Sequence, residues 1–150
     1  MERLLALQKV TIFAGLSLDQ LHKIDSLLCE QHFVSGEVVV AEGDRGEDLY
    51  ILMEGQVDFY KSWQRENEVL LSELSPLGYL GEMALLDDEP RSATAVARQD
   101  CRFLTLSGIR FRELLTQAPE MGFEVLRALT SRIRAAEKRL DERGEESVSS

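Results

Sequence analysis

The chain has 150 residues, 44% of them apolar and 29% charged, with 17 basic against 27 acidic side chains and a net charge of −10. That length suits one domain with a core of its own, and the acidic balance excludes DNA or RNA as a direct partner, because such binders neutralise phosphates with Lys and Arg. No stretch reaches the ~20 uncharged apolar residues of a membrane span, and Lys9 interrupts the opening MERLLALQKV as a secretory signal, so the cytoplasm is the expected compartment and no membrane partner is expected.

Cys29 and Cys101 lie far apart in sequence, with no clustered ligands and no disulfide framework around them, so both are read as reduced. From Ser17 the pattern Ser-Leu-Asp-Gln has the form of a capping box. Leu18, Leu21, Ile24, Leu27 and Leu28 follow at helical spacing, which predicts a helix ending near Glu30. The period then changes to two. HFV, EVVVAE, DLYILM, QVDFYKS, EVLLSEL, TAVAR and CRFLTLS read as strands, separated by turn signals such as Ser35-Gly36, Glu42-Gly43-Asp44 and Glu54-Gly55. Seven or eight short strands at this spacing predict a sandwich or jelly-roll barrel. The glycines at 36, 43, 46 and 55 read as turn residues, and Asp44 and Asp48 as turn-capping side chains.

After Ser107 the helical period returns. Ile109, Phe111, Leu114 and Leu115 predict a short helix stopped near Ala118-Pro119, and a second helix runs from about Pro119 to Leu140. Gly122, Leu126, Leu129, Ile133, Ala136 and Leu140 recur along it as a heptad seam, which either packs on the barrel or joins two copies of the chain through helix 119–140. The polar segment 141–150 reads as a tail or linker stub, leaving 1–140 as the domain.

The chemistry concentrates in residues 79–94, Tyr-Leu-Gly-Glu-Met-Ala-Leu-Leu-Asp-Asp-Glu-Pro-Arg-Ser-Ala-Thr. Gly81 permits close backbone approach or an unusual φ. Residues 82–86 are helix formers, and the free amides at a helix start favour phosphate. Pro90 ends the turn, and Arg91, beginning the next strand, can present its planar fork to two phosphate oxygens. Only two histidines are present, His22 and His32, too few for a metal-dependent jelly-roll enzyme. No nucleophile–base pair is evident either, so no enzyme and no metal are expected.

This segment resembles the phosphate-binding cassette of the cyclic-nucleotide-binding domain family, as found in catabolite activators and protein kinase A regulatory subunits. Gly81, Glu82, Met83, Ala84, Leu85, Pro90, Arg91 and Ala93 match its pattern in order, and the likeness extends over roughly residues 5 to 140. Leu80 departs from the pattern, standing where an aromatic is usual, and Asp87-Asp88-Glu89 adds three carboxylates before the arginine. The resemblance implies a double-stranded β-helix (jelly-roll) barrel with N-terminal helices and two C-terminal helices. It also implies a cytoplasmic regulatory domain of signal transduction that binds a cyclic nucleotide. Arg91 would pair with the cyclic phosphate and Glu82 would accept from the ribose 2′-hydroxyl. The backbones of Gly81, Met83 and Ala84 would line the site, and Ser92 would support the phosphate. Ser92 and Ala93 after the arginine favour cAMP over cGMP, and the C-terminal helices would move over the bound base, with Arg132, Ala135 and Ala136 as capping candidates. Two other readings compete: a ligandless interaction module, and a truncated transcription regulator of the catabolite-activator type. The latter needs a further ~60 residues of helix-turn-helix, whereas ten follow Leu140.

Overall fold

The computed structural model describes residues 2–149, with side-chain environments for residues 3–144. Two short helices open the chain, α1 (Glu2–Gln8) and α2 (Leu18–Asp25), joined through a 3₁₀ turn at Thr11–Phe13. The capping box forms as expected: Ser17 accepts from the Gln20 amide, and the Gln20 side chain accepts from the Ser17 amide. Ser17→Ala is expected to cost about 1 kcal/mol of stability, read as a lower midpoint in urea denaturation with an unchanged slope.

α2 stops earlier than the apolar spacing predicts, at Asp25 and not near Glu30. The Ser26 hydroxyl donates to the Lys23 carbonyl and the Leu27 amide closes a tight turn onto Ile24. Leu27 and Leu28 still pack on the core from outside the helix.

Eight strands follow: β1 (Cys29–Phe33), β2 (Val38–Val40), β3 (Asp48–Glu54), β4 (Val57–Lys61), β5 (Val69–Leu74), β6 (Tyr79–Leu80), β7 (Thr94–Ala97) and β8 (Cys101–Ser107). They form two antiparallel sheets, β1-β8-β3-β6 and β2-β7-β4-β5, in the crossed order of a jelly roll. Among the described residues the two sheets stay separate in their hydrogen bonding and do not close into one continuous barrel.

The alternation of β3 and β8 explains where the core sits. Leu49 pairs with Leu106 and Ile51 with Leu104, and all four are buried against the helices. Leu52 pairs with Phe103 on the opposite face, where they meet Val39, Val57, Ala95 and Ala97 of the second sheet. The central strands β3 and β8 of the first sheet are therefore buried on both faces, while β1 at its edge is largely exposed, and β3 reads as a nearly unbroken apolar run. Leu7, Phe13, Leu21, Ile24, Phe111, Met121 and Val125 supply the helical side of that core.

Between β6 and β7 lies α3 (Glu82–Asp87), and after β8 come α4 (Gly108–Gln117) and α5 (Pro119–Ser149). Ser107 caps α4, and Pro119 occupies the first position of α5, where its missing N–H costs nothing. α5 runs past the expected end at Leu140 to Ser149, because the segment beyond it holds no proline and its one glycine, Gly144, lowers helix propensity by only about 1 kcal/mol. Met121 and Val125 anchor the start of α5, whereas residues 131–144 are all exposed.

Candidate functional site

Arg91 is the centre of the candidate site. It lies three residues before β7, not at the strand's start as the sequence predicts, and a pair of backbone bonds holds it in place. The Arg91 amide donates to the Asp44 carbonyl at 2.8 Å, and the Gly43 amide donates to the Arg91 carbonyl at 2.8 Å. The residue is only 8% exposed. Its Nη2 donates to the backbone carbonyl of Asp48 at 3.1 Å, and its Cζ lies 5.8 Å from the centre of the Tyr50 ring, in reach of a cation–π interaction. Tyr50 rests edge-on against Phe103, which packs in turn on Phe33.

No carboxylate pairs with Arg91 among the described residues, although burial of such a charge normally demands a partner. Burial holds its pKa below the ordinary guanidinium value, and the nearby Tyr50, Asp48, Glu82 and Asp44 act in the opposite sense. The guanidinium opens on a cleft of about 190 Å³, lined by Arg91 with Val39–Ala41, Asp44, Arg45, Glu47, Asp48 and Tyr50. Asp44 and Asp48 line this cleft, and neither makes a capping hydrogen bond through its carboxylate among the described residues. Burial, and then Glu47, raises the Asp48 carboxyl above its ordinary value, while Arg91 lowers it.

A second cleft of about 220 Å³ also contains an arginine, Arg102, beside His32, Phe33, Glu54 and Cys101. There the cation is already neutralised, by Glu54 at 3.0 Å and Glu30 at 3.4 Å. Of these two, Arg91 is the one without a carboxylate partner among the described residues.

The cassette approaches Arg91 through its glycine. Gly81 precedes α3 with φ of 100°, a left-handed conformation. A Cβ there would fall 2.6 Å from Arg91 Nη1 and 2.8 Å from the Asp48 carbonyl, so only glycine fits. Glu82 is 3% exposed, and its carboxylate pairs with Arg132 of α5 at 2.5 Å. The Met83 sulfur lies 4.0 Å from the same guanidinium. Ala84 is buried, Ala93 half-buried and Ser92 exposed; the Ser92 carbonyl accepts from Lys61 at 3.0 Å. At the other end of α3, Arg112 of α4 donates twice to the Leu85 carbonyl, at 2.8 and 3.0 Å. Of the seven residues expected at the site, Arg91 alone lines its cleft, with Gly81 against the guanidinium and Glu82 and Met83 engaged with α5.

Sequence reasoning missed three features. Gly46 has no positive φ and is not a turn glycine; its place beside Arg91 left no local signal. The cleft wall from Asp44 to Tyr50 was legible only as matching strand and turn residues. The Glu82–Arg132 pair joins positions 50 residues apart, and no local period reports it. Among the described residues, no three His, Cys, Asp or Glu side chains gather as metal ligands, and no helix is long and apolar enough to cross a membrane.

The fold is thus a jelly roll in which a buried arginine stands beside a glycine-led short helix. The chain belongs to the cyclic nucleotide-binding domain family, whose model matches residues 30–118. It is 35% identical over 109 residues to a cAMP-dependent protein kinase regulatory subunit of Hypocrea atroviridis, a match covering 73% of this chain and 22% of that one. The crystal structure of the Thermus thermophilus catabolite activator protein superposes with a TM-score of 0.78 at 30% identity, covering 87% of this chain and 62% of that one. The regulatory domain of Toxoplasma gondii protein kinase A, solved with cAMP, gives a TM-score of 0.75 at 25% identity over 85% of this chain and 48% of that one. The chain thus spans less than two thirds of the length of each.

Proposed function

We propose that the chain is a non-enzymatic cyclic-nucleotide sensor that prefers cAMP and passes binding at Arg91 to α5. The observation that carries this reading is the buried Arg91 guanidinium, which opens on a cleft and has a backbone carbonyl as its hydrogen-bond partner. A cyclic phosphodiester supplies the single negative charge and paired oxygens that this fork lacks. The names of the relatives support cAMP, as do Ser92 and Ala93 after the arginine.

In this reading the phosphate pairs with Arg91, assisted by Ser92 and by the amides at the start of α3, with Gly81 and Ala93 close by. One oxygen of Glu82 accepts from the ribose 2′-hydroxyl while the other keeps Arg132. Occupancy at Glu82 is thereby felt by α5, and a ligand that binds the two α5 positions unequally shifts their populations. Leu126, Ile133 and Leu140 are each more than half exposed at heptad spacing, which supports a homodimer through α5. Ile133→Glu is expected to convert it to monomer in sedimentation equilibrium.

The acidic wall opposes the ligand. A phosphate anion beside Asp48 raises that carboxyl further, so the bound state holds more protons than the free state. Affinity for cAMP is expected to rise as pH falls from 7 toward the Asp48 range. Asp48→Asn is expected to tighten binding at pH 7 by roughly threefold and to flatten that pH dependence in calorimetry.

A thermal-shift series with cAMP, cGMP and cyclic di-GMP tests the reading as a whole, since a ligand present at 100 times its Kd stabilises by about 2.7 kcal/mol. Expected is the largest rise with cAMP. The rival reading, a ligandless interaction module, draws on the engagement of Glu82 by Arg132, and an unmoved midpoint with all three nucleotides would favour it.

A further inference from the structure

Gly46 lies on the segment between β2 and β3, and its backbone does not require glycine. Gly36, Gly43, Gly55 and Gly81 all have φ near 90–104°, while Gly46 lies outside that region. What requires glycine is space. A Cβ at Gly46 would fall 2.8 Å from the Ala84 Cβ, 3.2 Å from Arg91 Cζ and 3.3 Å from Arg91 Nη2. Carbon atoms in contact prefer roughly 3.5–4.0 Å, so one added methyl group forces α3, the guanidinium or both to move. Neither is free to yield. Arg91 is held by the Asp48 carbonyl and flanked by Tyr50 and Gly81, and α3 is pinned at Leu85 by Arg112.

We propose that Gly46 is a positioning residue for the anion site: its missing side chain sets how closely α3 and the Arg91 guanidinium approach each other across the β2–β3 segment. Gly46 touches no ligand in this role. It acts through Ala84 and Arg91, and rests on the reading of Arg91 as the anion clamp. The two gaps differ in kind. The approach to Ala84 is hard contact between two carbons on fixed backbones, while the approach to Arg91 needs only a few tenths of an ångström from a side chain. A methyl at position 46 therefore acts first on the cassette helix and then on the guanidinium.

The test is a double-mutant cycle with Gly46→Ala and Ala84→Gly, read by calorimetric titration with cAMP and by crystal structures of the unliganded proteins. Gly46→Ala is expected to weaken binding by about tenfold, the effect of a small misplacement of a binding group, and to shift α3 away from residue 46. Adding Ala84→Gly removes the atom it strikes, so the double variant should bind several-fold more tightly than the product of the single effects. Should Gly46→Ala fail to fold while the double variant folds, the clash with Ala84 is established and the double variant's affinity completes the test. Parent-like affinity in Gly46→Ala, strictly additive effects, or a crystal structure with α3 and Arg91 unmoved would each overturn the proposal. If the parent protein itself binds no cyclic nucleotide, the functional reading fails instead, and the crystal structures alone decide the role of Gly46.

Discussion

Arg91→Ala is expected to lose on the order of 3–5 kcal/mol of cAMP binding, roughly 10²–10⁴-fold in Kd. The guanidinium is desolvated, pre-positioned over Tyr50 and without a carboxylate partner among the described residues, so its interaction with a phosphate is not spent on breaking an ion pair seen there. Removing it leaves a phosphate desolvated in a cleft whose remaining charged lining is Asp44, Glu47 and Asp48 against the single cation Arg45. The backbone bonds of residue 91 to Gly43 and Asp44 do not involve the side chain, so the segment should hold its course and thermal unfolding should stay cooperative. Arg91→Lys keeps the charge and loses the planar fork, and is expected to fall between the parent and the alanine variant. Calorimetry on the three proteins checks the series, and parent-like affinity in Arg91→Ala would remove the arginine from the site.

Phe103→Ala is expected to cost about 3–5 kcal/mol of folding stability, seen as a fall in melting temperature of roughly 6–20 °C for a chain of this size. Phe103 is fully buried between the sheets and meets Phe33 and Tyr50 edge-on, with ring centres 5.6 and 5.7 Å apart. Its loss leaves a cavity and also withdraws the ring that supports Tyr50, which itself flanks Arg91. Weaker cAMP binding should therefore accompany the lost stability, although residue 103 is remote from any ligand atom. A loss below about 1 kcal/mol would mean that neighbouring side chains collapse into the space.

The same two positions show what the sequence makes legible. Phe103 belongs to a short strand rich in apolar residues between turn signals, so its membership of the core is readable from the sequence, whereas the face it occupies is not. The capping box at Ser17 and Gln20 was equally readable, because both partners lie within one turn. β6 was not resolved as a strand, since two residues carry no period; its pairing with Tyr50 and Ile51 is what makes it one. The ends of α2 and α5 were misplaced in opposite directions. α2 is cut short by local hydrogen bonds at Ser26 that the apolar spacing ignores. α5 runs past its expected end because a polar helix and a polar tail have similar composition and the sequence does not tell them apart. Arg91 was legible because Gly81, Pro90 and Ala93 surround it in a fixed pattern. The spacing role of Gly46 and the pairing of Arg132 with Glu82 were not, because the partners Ala84, Arg91 and Glu82 come from distant stretches of chain that only the fold brings together.

Everything functional depends on a negatively charged ligand reaching one guanidinium, and a crystal structure of the protein grown with cAMP tests this most directly. Expected is one nucleotide per chain, with cyclic-phosphate oxygens within hydrogen-bond distance of Arg91 Nη1 or Nη2 and the ribose facing Glu82. A nucleotide seated in the cleft beside Arg102 instead, or an empty site at Arg91 under saturating cAMP, would contradict it.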